Sequence, residues 1–264
     1  MPAAAQTEAG FQAYLSELRA RALAEGVSRQ TLDQVMPTLY LNSRVIELDR
    51  DQPGGAPNSA IPPFAPYRAR HVDAARIEGG RAAYRRVRPQ LFNIERRTGV
   101  PGKITVAIYG HETAYGRVMG GFDLPRSLAT LAYEGRRREL FEGEFIAAMK
   151  MIDDGVPRSA LEGSWAGAFG YPQFLPSVYR RLAIDGDGDG RAEIWRSEAD
   201  GLASIGNYLH NAGWRNNEPW GIAVNVPSGL DRNAIGNRTY PTRCPRVHER
   251  HSRWMTMAEW RNLG

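Results

Sequence analysis

Residues 101–116 read PGKITVAIYGHETAYG. Thr98-Gly99 marks a boundary just before them, and Pro101 suits the first position of a helix because its missing amide hydrogen is not needed there. Ile104, Ala107 and Ile108 then recur at helical spacing, so residues 102–113 are expected to be helical. On that helix Ile108 and Glu112, and Tyr109 and Glu112, fall on shared faces. A carboxyl under an aliphatic and aromatic wall would be poorly solvated, which favours its protonated form and suits a general acid. Read from the residues alone, Glu112 is more readily an ordinary surface or helix-terminal glutamate. His111 adjoins it but points elsewhere on a helix, so the two are not an evident dyad.

Working outward, helical patterning dominates. Phe11, Tyr14, Leu15, Leu18, Ala22 and Leu23 form one stripe, with Gly26 beyond its end. Ser28 can cap a short helix carrying Leu32, Val35 and Met36, with Pro37 near its stop. Residues 51–66, with five prolines and two glycines, form a non-helical connection. Val87, Leu91 and Ile94 suit a buried stripe, with Pro89 breaking or starting a helix. Ser127 can cap another helix. Leu140, Phe141, Phe145, Ala148, Met149 and Ile152 give residues 137–153 an amphipathic pattern ending at Gly155. GSWAGAFGYPQFLPS (163–177) has no sustained period and reads as a compact loop with short helical turns. A further helix begins near Asp200 and ends near Gly213. Beyond 220 the pattern suggests irregular structure or small strands.

The whole chain has 264 residues and a net charge of +5, which favours acidic partners without naming one. No apolar run is long enough to span a membrane. The first ten residues look like a frayed leader. Arg136, Arg137 and Arg138, like Arg85, Arg86 and Arg88, read as solvated faces. Cys244 is alone, so neither a disulfide framework nor a cysteine metal cluster is available. His71, His210, His248 and His251 lack zinc-site spacing. There is no Walker loop or dinucleotide fingerprint, and Ser164 in GSWAG lacks the setting of a nucleophile elbow, so it reads as a polar contact. In IDGDGDGRAEIW (184–195), Asp185, Asp187 and Asp189 occupy positions one, three and five of a calcium loop, and Arg191 can offer its carbonyl at seven. Arg196 stands where the usual closing glutamate would be. Asp200 also fits the N-cap of the helix that follows.

VAIYGHETAYG (106–116), LATLAYEGRRRELF (128–141), GSWAGAFGYPQFLPS, the acidic loop and NYLHNAGW (207–214) occur in an order that resembles the membrane-bound lytic transglycosylase B family and its soluble relatives. The resemblance covers about residues 11 to 227 and is thin from there to Gly264. It implies a predominantly helical α+β fold, with a lysozyme-like catalytic core, an added N-terminal helical lobe and an EF-hand-like ion loop. The expected divisions are 1–66 for the helical region packed on the core, 67–227 for the catalytic region and 228–264 for an irregular, apparently shortened end. Glu112 matches the catalytic glutamate. Ser164 and Gln173 match residues that contact the saccharide, and Tyr109, Tyr115, Tyr171 and Phe174 are candidates for its apolar platforms. Asp123 and Glu134 are available carboxylates without a required role.

The reaction implied is cleavage of peptidoglycan glycan strands between N-acetylmuramic acid and N-acetylglucosamine. Glu112 first protonates the bridging oxygen and then acts as base while the muramic 6-hydroxyl attacks its own anomeric carbon, giving a 1,6-anhydro end. One acid/base suffices where ordinary glycosidases use two carboxylates. No cofactor is expected for chemistry. A structural calcium is expected at Asp185, Asp187, Asp189, Arg191 and Asp200, with Glu198 a second choice for closing the loop; sodium or a vacant acidic turn is the alternative. The resemblance also implies a monomer in the periplasm, reaching the outer membrane only through a lipid anchor that this chain lacks. No nucleic-acid partner is expected. Phe169, Tyr171 and Tyr109 replace a methionine, a glutamine and a tryptophan common in the family, and relatives continue beyond MAEWRNLG (257–264). Those departures leave a catalytically weak or inactive peptidoglycan-binding protein of the same fold as the competing reading, with a hydrolytic muramidase behind it.

Overall fold

The computed structural model describes residues 7–52, 63–219, 221–236 and 251–264. Cys244, His248, most of the proline-rich connection and residues 1–6 lie outside the described residues. Chain contacts divide the protein into one unit running to Asn216 and a second from Asn217 to Gly264.

In the first unit, Thr7 caps helix α1 (Glu8–Ala24), and Ser28 caps α2 (Arg29–Val35), accepting the Thr31 amide at 3.1 Å. Asn42 caps α3 (Ser43–Arg50). The stripe read on α1 is buried at Phe11, Tyr14, Leu15, Leu18 and Ala22. It meets α8 (Leu124–Glu134) and α9 (Arg138–Asp153), whose Leu124, Leu128, Phe145 and Met149 are fully enclosed in the same core. Each such side chain contributes roughly 1.5–3 kcal/mol by leaving water.

A second core joins α5 (Ala74–Arg86), α6 (Arg88–Thr98), α7 (Gly102–Thr113) and α11 (Glu198–Asn211) through Ala83, Leu91, Ile94, Val106, Tyr109, Leu202 and Ile205. α4 (Phe64–His71) precedes α5 and buries none of its residues. α10 (Pro176–Leu182) follows the loop read at 163–177. β1 (Phe122–Asp123) and β2 (Glu162–Gly163) form one antiparallel pair, Phe122 opposite Gly163 and Asp123 opposite Glu162. The second unit carries a bridge between Gly236 and Ser252 and a short helix, Met257–Arg261, closed by a Thr256–Glu259 capping box.

Several local expectations are corrected. Pro101 is the N-cap of α7 rather than its first residue. α8 is capped by Asp123, which accepts the Arg126 amide at 2.8 Å, and Ser127 sits buried inside the helix. Leu140 is exposed, outside the stripe it was assigned to. Arg136 and Arg137 are not simply a solvated face: both close on Asp49 of α3, a side chain only 1% exposed. Arg136 grips it with Nε to Oδ2 at 2.8 Å and a terminal nitrogen to Oδ1 at 2.6 Å; Arg137 reaches Oδ1 at 2.8 Å. Burial would raise the Asp49 pKa, but these bonds outweigh it and hold the carboxyl below the ordinary range. Likewise Arg86 binds Glu198 with Nε to Oε2 at 3.0 Å.

Candidate active site

Glu112 stands one residue from the end of α7, where the chain turns sharply. Ala114, Tyr115 and Gly116 follow with φ of 50°, 62° and 82°. Two side-chain-bearing residues in the left-handed region are costly, so the reversal must be held by its surroundings. The Ala114 amide donates to Gly110 O at 3.1 Å, and the Gly116 amide donates to Thr113 Oγ1 at 3.1 Å. Gly116 is required twice over: its φ is positive, and a Cβ there would lie 2.7 Å from the Tyr109 hydroxyl oxygen and 2.8 Å from the Tyr171 ring.

Ile108 and Glu112 face a groove of about 390 Å³, as their shared helix face requires. Pro172, Gln173, Phe174, Leu175 and Val178 form the opposite wall; Ile205, Tyr208 and Leu209 of α11 complete it. Phe174 is buried and its ring lies 5.6 Å from that of Tyr208. Gln173 Nε2 donates to Met119 O at 3.2 Å and to Gly170 O at 3.1 Å. Both amide hydrogens are thereby engaged, which leaves the carbonyl end as the acceptor available to a ligand. Glu112 itself is exposed, so the aliphatic wall covers only one side of it and the poorly solvated setting expected from its neighbours is not built by the protein alone. It is the only carboxylate among the described residues lining the groove. Asp123 instead pairs with Arg158, and Glu134 with Arg50 at 3.3 Å.

The three tyrosines do not serve as walls of this groove. Tyr109 is 2% exposed and meets Tyr115 and Tyr171 edge-on, with centroids 5.8 and 5.4 Å away. Its phenol is pushed up by burial and by the charge and hydrogen bond of Glu198. The Tyr115 hydroxyl donates to Arg76 O at 2.7 Å, and the Tyr171 hydroxyl to Arg196 O at 3.4 Å. The three rings pack behind α7 because α5 and α11 offer an apolar seat there. Ser164 is likewise not among the groove residues; its hydroxyl accepts the Ala168 amide at 3.0 Å and stabilises the turn before Phe169. Tyr208, Ile205 and Leu209 were not singled out from sequence, although NYLHNAGW contained two of them.

The acidic loop brings together Asp185, Asp187 and Asp200, each offering a carboxylate oxygen, all within 4.8 Å of one another. Asp185 accepts the Gly188 and Gly190 amides at 2.6 and 2.8 Å, which hold its carboxyl below the usual range. Asp200 is 1% exposed and accepts the Gly186 and Glu193 amides at 2.8 and 2.7 Å. Burial pushes its carboxyl up despite those bonds, and the neighbouring Asp187 and Asp185 charges add to the effect. Asp200 is not the helix cap: Ser197 fills that position, accepting the Asp200 amide at 3.3 Å while donating to Asp187 at 2.6 Å. Asp189 stays outside the cluster, accepting the Arg191 amide at 2.9 Å, and the Arg191 guanidinium approaches Glu193 at 3.9 Å. Glu198 turns away from the loop toward Arg86 and Tyr109.

With this geometry in place, residues 10–264 match the transglycosylase SLT domain. The chain is 32% identical over 219 residues to membrane-bound lytic murein transglycosylase B of Escherichia coli (strain K12), an alignment covering 78% of this chain and 60% of that protein. SltB3 from Pseudomonas aeruginosa, in complex with NAG-NAM-pentapeptide, superposes with a TM-score of 0.82 at 36% identity, covering 96% of this chain and 63% of that one. The Escherichia coli lytic transglycosylase Slt35 in complex with calcium superposes with a TM-score of 0.67 at 31% identity, covering 80% and 65%. The chain thus spans about 60% of the length of the curated relative it matches. Since the match begins within α1 and takes in both units, the chain belongs to the transglycosylase SLT domain family.

Proposed function

We propose that this protein is a lytic transglycosylase acting on peptidoglycan glycan strands in the periplasm, with Glu112 as acid and then base. One observation carries the reading: a single carboxylate opens into a groove walled by Phe174, Tyr208 and the acceptor end of Gln173. Hydrolysis with paired carboxylates needs a second acid near the scissile bond, and the described groove residues supply none. Intramolecular attack needs only one. Glu112 gives its proton to the oxygen linking N-acetylmuramic acid to N-acetylglucosamine, and that bond breaks. The muramic 6-hydroxyl bonds to its own anomeric carbon and returns its proton to Glu112, leaving a 1,6-anhydro end. Because nucleophile and electrophile belong to one sugar, no bimolecular encounter is required. A sugar ring seated on the exposed Tyr208 ring, which Phe174 backs, would complete the cover over Glu112 and strengthen its hydrogen bond to the departing oxygen. The relative in complex with NAG-NAM-pentapeptide supports the substrate class.

The acidic cluster fits a structural calcium ion. A nearly buried Asp200 beside two further carboxylates is a donor set that a divalent cation relieves of mutual repulsion. Asp185, Asp187 and Asp200 would hold the ion, which would pin the start of α11 and hence the helix bearing Tyr208. Asp189 and the Arg191 carbonyl are secondary candidates. The decisive experiment is mass analysis of products from purified peptidoglycan, for the parent protein and Glu112→Gln. Anhydro-muramic ends from the parent and none from the variant are expected. Reducing muramic ends would mean hydrolysis, and tight wall binding without product would mean a binding protein.

A further inference from the structure

We infer that Thr113 is the positioning residue that sets the distance between Glu112 and the opposite wall of the groove; this rests on the assignment of Glu112 as acid and base. The Thr113 side chain is fully buried beside an exposed Glu112. Its Oγ1 lies 3.2 Å from Tyr109 O, one turn back on α7, and 3.3 Å from Tyr171 O, in the loop that leads to Gln173 and Phe174. The same oxygen accepts the Gly116 amide at 3.1 Å. A hydroxyl has one hydrogen and two lone pairs, so the hydrogen is shared between the carbonyls while a lone pair takes the amide. One atom therefore ties three pieces of backbone: the last turn of α7, the left-handed reversal after it, and the loop of the facing wall.

The arrangement matters because neither flanking segment is at rest in an ordinary conformation. Tyr115 and Gln173 have φ of 62° and 51°, one on each side of the tie. Such residues stay where they are only while the surroundings hold them. A second hydrogen bond from the loop runs from Gln173 Nε2 to Met119 O at 3.2 Å, and Gln173 is itself a wall residue. Without the Thr113 hydroxyl this polar tie is lost; the Tyr171 ring still packs against Tyr109, but the loop can shift relative to α7 by more than acid–base catalysis tolerates. The apolar surfaces of Phe174, Tyr208 and Ile205 remain, so affinity should suffer less than turnover.

Valine has the shape of threonine without the hydroxyl, and serine keeps the hydroxyl without the methyl. On purified glycan strands, Thr113→Val should lower kcat by about 100-fold while changing KM by less than about threefold. Thr113→Ser should recover most of that loss, and both should give the parent's circular dichroism spectrum. A Val variant with parental kcat overturns the inference, as does equal loss in Val and Ser, which would make the methyl packing responsible. If Val misfolds, Thr113→Ala replaces it in the comparison with Ser. If neither hydroxyl-free variant folds, the role is structural and the inference is wrong. A parent protein that forms no anhydro product fails at Glu112 instead, an outcome visible before any Thr113 variant is compared.

Discussion

Replacing Asp49 by asparagine isolates the buried contact that ties α3 to the α8–α9 junction. The carboxylate accepts three side-chain bonds, two at Oδ1 from Arg136 and Arg137 and one at Oδ2 from Arg136 Nε. Asparagine can keep its oxygen at the Oδ1 position, but its NH₂ then faces the Nε–H of Arg136, donor against donor. One charge-assisted bond is lost outright, about 1.5–3 kcal/mol, and a buried NH₂ is left without a partner, about 1 kcal/mol more. Both arginine side chains are about 40% exposed and regain some hydration, so the net loss should be about 2–3 kcal/mol. For a domain of this size that is a fall in Tm of about 4–12 °C. The pH dependence has a definite sign. The folded-state pKa of Asp49 lies below its unfolded value, so the stabilisation is present above about pH 3.9 and lost as pH falls through the folded value. Melting curves of both proteins between pH 7 and pH 3 should therefore converge toward the acid end. Arg44→Ala, which breaks the exposed pair with Glu47, is the control and should shift stability by less than about 0.5 kcal/mol. A gap between parent and Asp49→Asn that is absent at pH 7, or constant down to pH 3, refutes the reasoning.

Calcium at 100 times its Kd should stabilise the protein by about 2.7 kcal/mol, a rise in Tm of about 5–11 °C over chelated protein. Asp200→Asn should lose that response, and an undiminished calcium shift in the variant would remove Asp200 from the ligand set. Gly116→Ala meets a φ of 82° and two close tyrosine contacts, so it should lower the denaturant midpoint by the equivalent of more than about 2 kcal/mol. An unchanged midpoint would show that the turn relaxes freely.

Much of the local structure was legible because it depends on neighbours in sequence. The stripe on α1, the Ser28 cap, the break at Pro89 and the span of α7 follow from spacing and backbone chemistry. The errors lie where a distant partner decides. Ser127 and Asp123 are both competent caps, and only the position of the β1–β2 pair shows which one starts α8. Arg136 and Arg137 look like surface charge until α3 brings Asp49 against them. Residues 109 and 112 are near neighbours on a helical wheel, yet α5 and α11 enclose the first while the groove opens beside the second.

The amino-acid order alone determined helices such as α1, α2, α7 and α9 and the family resemblance through which Glu112 was chosen, because periodicity, caps and motif spacing are properties of contiguous chain. Tertiary structure decided what surrounds that glutamate. It drew Tyr109, Tyr115 and Tyr171 behind the helix, put Tyr208 in the groove and gathered Asp200 with Asp185 and Asp187. The physical reason is that an aromatic ring or a carboxylate has several acceptable environments. Which one it takes depends on the apolar area and hydrogen-bond partners that remote segments deliver, and one strand of letters does not contain that geometry in readable form.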